Sequence, residues 1–276
     1  MACPLHPYHT KSLRALGAET KAQEEAAKRV PFFGPMSRKA TEARQRLTAA
    51  VVEEVRQNRI MQRMPLLVGQ TIQRNDGIIT DLLRDIYRTV GRRFVVDGFD
   101  QAEQKATEPE KESLLDAWFT RVDQWLDTPE AGREIRRITD TQRRDIIDAI
   151  NEGLEEGLGT EEVAQLIDDR MEDIDQQRGR TIARTETITA SNMSSQEGAR
   201  QSNTNRLKQW FDSDDGRVRG SHEIIGASDP IPLNQEYEWT SPEEGVVTAR
   251  FPGDPNLPAA ERINCRCVEL YVEPNE

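Results

Sequence analysis

The chain has 276 residues, 36% of them hydrophobic and 31% charged, and a net charge of −12. Its apolar runs fall far short of the roughly 20 residues a spanning helix needs, and its first residues lack the charged and apolar regions of a secretory signal. Three cysteines are too few for a disulfide framework at this length, so they read as free thiols or metal ligands.

These features predict a soluble chain, made in a cytoplasm, with no membrane contact and one large or two ordinary domains. The charge is uneven. Residues 1–63 carry 12 Lys/Arg against 6 Asp/Glu, and residues 64–276 carry 25 against 43, so +6 faces −18. A basic leader on an acidic body predicts contact with something acidic, with a solvated helix as the plain alternative.

Residues 1–37 hold six scattered Pro and Gly and read as a basic, flexible arm, with a polar helix over 11–29 and a break at 30–35. Phe32 and Phe33 are its apolar anchors, for a partner. Residues 38–130 read as a helical region. Ser37 is placed to cap a helix that Pro65 ends, with Leu47, Val51, Val52 and Val55 on its buried face. A second helix covers 77–96, with a stripe through Ile79, Leu83, Ile86, Val90 and Phe94. Residues 97–109 read as a loop. A third helix covers 110–127, stopped by Thr128-Pro129, with Leu114, Trp118, Val122 and Trp125 as core.

Residues 131–276 form the third expected unit. Thr139-x-x-Gln142 fits a capping box, Gly157-Leu158-Gly159 a helix stop, and Thr160 the cap of the next helix, which makes an αα-hairpin. A separate helix is expected over 178–200, bearing Arg184 and Glu186. Beyond residue 205 the pattern changes to short strands at 207–211, 237–239, 246–251 and 265–272. The predicted fold class is α+β: a mostly helical N-terminal region, then helices packed on a small antiparallel sheet.

The last third also concentrates the chemistry. His222 is the one histidine outside the first ten residues, and Cys265 and Cys267 are the cysteines beyond Cys3. In a strand, residues two apart face one side, so both sulfurs are placed to ligate one Zn²⁺ with His222 and Asp215. The alternative is two buried thiols and a hydrogen-bonded histidine. Glu186 is expected to pair with Arg217 or Arg219, since Arg184 lies two residues away on the same helix and faces elsewhere.

Several of these residues together carry a family resemblance. Ala183-Arg184-Thr185-Glu186-Thr187 with Asn192, Trp210, Asp215-x-Arg217-Val218-Arg219-x-x-His222, Pro252-Gly253-Asp254-Pro255 and Ile263-Asn264-Cys265-Arg266-Cys267 resemble motifs of the phage Mu F-type head morphogenesis family. The likeness covers about 139–270, and Gly216 departs from it where a polar residue is expected. It implies a structural minor capsid protein of the virion (the phage head), few per particle. Its implied partners are portal protein and major capsid protein; the positive charge of residues 1–63, and not the resemblance, predicts a non-specific DNA contact. The likeness implies no turnover reaction. The rival from the residues alone is a metal-dependent hydrolase, nuclease or peptidase, using His222, Cys265, Cys267, Asp215 and Glu186. On either reading, removing residues 1–63 is expected to leave the C-terminal unit folded.

Overall fold

In a computed structural model, residues 13–57, 63–103, 105–202, 204–213 and 216–274 are described, the side chains of 13–19 excepted. Seven helices come first: α1 (Leu13–Ala27), α2 (Val30–Gln57), α3 (Met64–Arg74), α4 (Gly77–Ala102), α5 (Glu108–Leu126), α6 (Pro129–Glu155) and α7 (Thr160–Gln201). Then follow β1 (Leu207–Phe211), α8 (Gly220–Gly226), β2 (Ile231–Pro232), β3 (Tyr237–Ser241), β4 (Gly245–Ala249), α9 (Ala259–Arg262) and β5 (Val268–Val272). The class is α+β, as expected. The strands form an antiparallel sheet in the order β2-β1-β5 and a separate β3-β4 hairpin. Within the sheet Trp210 stands opposite Glu269 and Phe211 opposite Val268.

Several expected boundaries moved, each for a physical reason. The break at 30–35 is part of α2, where Pro31 falls in the first turn and its missing N–H costs nothing. Pro35 also lies inside α2, and Phe32 secures this turn against Phe94, ring to ring at 6.3 Å. Ser37 is therefore mid-helix and caps nothing. Pro65 lies in the first turn of α3, and α2 is described as far as Gln57, the residues between 57 and 63 lying outside the described ones. Helix α4 continues through the expected loop to Ala102 because Gly98, Phe99 and Ala102 are buried against the molecule. Thr107, with Glu110 bonding back to its N–H at 2.7 Å, starts α5.

The capping box at Thr139 and Gln142 does not exist, because α6 runs straight through it. Thr139 bonds its own preceding turn, and Gln142 donates to the Arg44 carbonyl at 2.6 Å and to Thr48 at 2.9 Å. The hairpin turn is where expected, with Gly157 at φ 71°. Gly159, not Thr160, is the N-cap of α7, and Glu162 bonds back to its N–H at 2.7 Å.

The hairpin helix and the helix expected at 178–200 are one helix of 42 residues. Its first half is amphipathic, burying Val163, Ala164, Ile167 and Met171 with Val51, Val55, Ile146 and Ile150. From Thr185 to Gln196 it is enclosed on every side, between α2 and α4 and beneath β5. The closest approach to α4 occurs at two glycines. A Cβ on Gly98 would strike the Ser195 carbonyl, and one on Gly198 the Val95 carbonyl.

The main apolar cluster joins Met36, Leu47, Leu83, Phe94, Trp118 and Ile138 to Ala190, Met193 and Phe251. It crosses the expected boundary between residues 130 and 131. Helix α1 lies against β5, with Ala22 packed on Val268 and Leu270. The N-terminal helices are thus part of the core that a C-terminal unit would need alone. Among the described residues no helix is long and apolar enough to cross a membrane.

Candidate metal centre

The segment after α9 makes a left-handed turn at Asn264 (φ 59°), a conformation asparagine tolerates better than most residues. The Thr185 hydroxyl of α7 accepts the Asn264 N–H at 3.2 Å and holds this turn down. Cys265 and Cys267 follow in extended chain just ahead of β5, so they lie outside the strand expected to hold them. The alternation still works: both side chains face His222, which the short helix α8 presents. His222 Nδ1 lies 3.3 Å from Cys267 Sγ and 3.8 Å from Cys265 Sγ.

All three residues are buried, and their ligand atoms lie within 4.8 Å of one another. Among the described residues this is the one histidine, cysteine or carboxylate group so arranged that it can hold a metal ion. Tetrahedral bonds of about 2.3 Å to sulfur and 2.0–2.1 Å to nitrogen would place S and N about 3.5 Å apart. The two observed distances bracket that spacing. Asp215, the expected fourth ligand, lies outside the described residues.

Two further features suit a metal. Glu261 Oε2 lies 3.0 Å from His222 Nε2, at ion-pair distance but off the line of a hydrogen bond. A carboxylate behind a ligating imidazole fixes which nitrogen faces the ion. Burial alone would push the Glu261 carboxyl up, yet hydrogen bonds, including one from Ser221 at 2.9 Å, and the imidazole hold it low. The thiols are already differentiated. A hydrogen bond from Cys267 pulls Cys265 well below the usual thiol range against burial, and the same bond and burial push Cys267 up. Rings enclose the cluster: Trp210 meets His222 edge-on at 5.3 Å and Trp239 at 5.4 Å.

Glu186 lies elsewhere, in a buried ion network. It meets Arg262 Nη2 at 2.8 Å and accepts from Tyr87 Oη at 3.1 Å, so the expected pairing with Arg217 or Arg219 is not made. Arg262 Nη1 also reaches Glu134 at 2.5 Å. One guanidinium serves two carboxylates. Burial, opposed by Arg262 and reinforced by Glu134, raises Glu186 to about 7. Arg262 is held firmly charged, because the two carboxylates outweigh its burial. The adjacent residues Glu261 and Arg262 therefore enter different sites from one turn of helix.

Asn192 is the third anchor. Its amide donates to the Pro252 carbonyl at 2.7 Å and the Cys267 carbonyl at 3.2 Å. Its oxygen accepts from Arg29 Nη2 at 2.5 Å, and Arg29 Nη1 donates to the Cys267 carbonyl at 3.1 Å. Burial pushes Arg29 down to about 10, offset in part by the charges of Cys265 and Glu25. Gly253, at φ 80°, lets the Pro252–Pro255 loop lie on α7, where Thr189 donates to its carbonyl at 2.7 Å.

The sequence reading missed Arg29, Glu261 and Arg262. Nothing in the spacing of Arg29 or of Ala-Ala-Glu-Arg marks them, since charged residues in polar surroundings read as surface.

The fold and site together define a helical protein whose C-terminal α+β part is fastened to one long helix by buried polar anchors and a cluster of metal-ligand type. Residues 144–270 match the family model described as phage Mu protein F like protein, so this part of the chain is similar to that family. Over 121 residues, 44% of the chain, it is 31% identical to "Uncharacterized protein YqbB" of Bacillus subtilis (strain 168), a span covering 39% of that relative. No solved structure matches the chain.

Proposed function

We propose that this chain is a minor capsid protein of a phage head that works by binding portal and major capsid protein during assembly. The observation that carries the reading is the family match at residues 144–270, a phage head-morphogenesis lineage. What the motif residues do in the fold supports it. Asn192, Thr185, Glu186 and Gly253 join α7 to the C-terminal segments, which suits a rigid binding body. The hydrolase alternative requires Glu186 beside the metal cluster, and its carboxylate is instead engaged by Arg262 and Tyr87.

In the same reading the His222–Cys265–Cys267 cluster holds zinc as a structural staple. Two thiolates and an imidazole form a soft donor set suited to Zn²⁺. Metal there would tie α8 to the segment ahead of β5 around a small apolar core. Among the described residues, at least five of the cations in 1–63 are engaged within the protein. Lys28, Arg29, Lys39, Arg44 and Arg56 meet Glu25, Asn192, Asp85, Asp175 and Glu161. A non-specific DNA contact falls to the remaining cations and adds salt dependence to binding.

The test is co-expression with the portal and major capsid proteins of the phage that encodes this chain, followed by affinity capture and mass spectrometry of assembled heads. Capture of portal protein and a few copies per head are expected. A chain absent from heads that captures neither protein refutes the reading. Cleavage of DNA or capsid protein that His222→Ala abolishes would establish the hydrolase instead. Elemental analysis should find about one zinc per chain, and chelator should lower the melting temperature. A metal-free protein indifferent to chelator refutes the staple.

A further inference from the structure

A cleft of about 760 Å³ opens where α6, α7 and the α9 turn meet. Its walls are aliphatic, with Ile138 and Ile147 from α6, Ile182 from α7, and Ile263, which is 40% exposed. Its rim is basic. Six arginines and three acidic residues line it in all, but the groups divide by depth. Arg262 is buried and neutralised by Glu134 and Glu186, and Arg44 is buried against Asp175 at 2.9 Å. That leaves Arg137, Arg143, Arg144 and Arg178 exposed at the edge, against Asp140.

These rim cations are only lightly engaged. Arg137 donates to the Pro255 carbonyl at 3.1 Å and to Glu134 at 3.3 Å, Arg144 reaches the Thr141 hydroxyl at 3.4 Å, and Arg178 stands 3.6 Å from Asp145. Among the described residues no carboxylate pairs with Arg143 or Arg144. A cluster of underused guanidinium groups over an isoleucine floor is unusual on a body whose residues 64–276 carry −18.

We propose that this cleft docks an acidic amphipathic peptide segment of a partner protein, with aliphatic side chains on the isoleucine floor and carboxylates on the arginine rim. The chemistry selects this occupant. Guanidinium groups form strong two-point bonds with carboxylates. The volume lies within the range of about 300–1,000 Å³ usual for pockets that enclose a ligand, so it takes a few side chains of a peptide and not a duplex. A nucleic acid backbone would leave the aliphatic side chains of the cleft without apolar contact. The inference goes beyond the head-assembly reading, because it stands for any protein partner with such a segment.

The test uses the full-length chain and a fluorescent peptide of Leu and Glu about 14 residues long, or about four helical turns, with Leu at the one-face helical spacing. Controls are the same peptide with Lys for Glu, the same peptide with Ser for Leu, and a single-stranded DNA of equal length. Anisotropy should show the Leu/Glu peptide binding at least about tenfold tighter than every control. Arg143→Glu with Arg144→Glu should weaken it by at least about tenfold, with the melting temperature unchanged. Arg121→Glu, on exposed α5 surface, should change nothing. If the double variant loses stability, rising salt in the unaltered protein gives the second readout, and binding must fall. The proposal is overturned if the Leu/Glu peptide binds no better than the controls, if DNA binds more tightly, or if neither the double variant nor salt weakens binding.

Discussion

Arg262→Met tests the account of the buried network most directly. Arg262 is 2% exposed and makes four contacts: to Glu186 at 2.8 Å, Glu134 at 2.5 Å, Thr189 at 3.2 Å and the Gly253 carbonyl at 3.3 Å. Methionine keeps much of the aliphatic volume and removes the cation. Glu186 is then left without a counter-charge beside Glu134, which keeps only Arg137 at 3.3 Å, a loss of about 3–5 kcal/mol. At the lower bound that is roughly a hundredfold in the folding constant, since each 1.4 kcal/mol is about tenfold.

The pH dependence gives the sharper signature. In the unaltered protein Glu186 is raised to about 7, chiefly by burial, so the folded state binds its proton more tightly than the unfolded chain does. That contribution is fully present below the unfolded carboxyl range and fades as pH rises through about 7. Without Arg262 the folded state prefers the proton still more. The deficit of Arg262→Met should therefore be largest near about pH 8 and shrink toward about pH 5. Glu186→Gln added to Arg262→Met should recover part of it and flatten the slope. Urea unfolding followed by circular dichroism at both pH values measures this. A deficit below about 1 kcal/mol, or one independent of pH, would falsify the network as described.

Three other outcomes follow from the geometry. Gly198→Ala drives a methyl into the Val95 carbonyl at the α4–α7 crossing, so a loss of at least about 1–3 kcal/mol is expected in thermal melts. An unchanged melt would mean that the helices can part freely. Glu261→Gln should weaken metal binding by about 10–100-fold in a competition titration with a chromophoric chelator, with the fold retained. Equal affinity would remove Glu261 from the role of orienting His222. Deleting residues 1–63 should unfold the rest, contrary to the expectation from sequence, because α2 supplies Met36, Ala40 and Leu47 to the main core. A cooperative melt of the truncated chain near the full-length temperature would refute this.

The amphipathic helices were readable from sequence because their stripes are one-sided, as in α4 and α5. The second half of α7 was not readable in the same way. From Thr185 to Gln196 it is buried all round, yet it is rich in Ser, Thr and Asn, which normally signal caps or surface. Several of its hydroxyls return to the helix's own carbonyls, Thr189 to Thr185 at 3.1 Å and Ser194 to Ala190 at 2.7 Å, which satisfies those groups without water. A pattern of apolar spacing cannot report such a helix. The false capping box has a related cause: Thr139 and Gln142 have capping chemistry but use it against α6's own turn and α2. The His222, Cys265 and Cys267 juxtaposition was legible because metal-ligand residue types are so scarce in the chain. The Glu261 carboxylate behind His222 and the Arg262 network depend on where α9 docks, which no local spacing encodes.

The position of α9 also explains how so polar a domain keeps a defined shape. The short helix is only four residues long and has little stability of its own. Its neighbours fix it from three directions: Glu261 toward His222, Arg262 toward Glu186 and Glu134, and the Asn264 N–H on Thr185. Each contact is directional, so together they specify one docking of the terminal segment where apolar packing would allow several. Ile263, the next residue, then stands at the wall of the basic cleft. The anchors that lock the C-terminal part to α7 therefore also set the edge of the surface proposed to receive a partner. Rigidity there lowers the entropy lost when a partner segment is ordered on it.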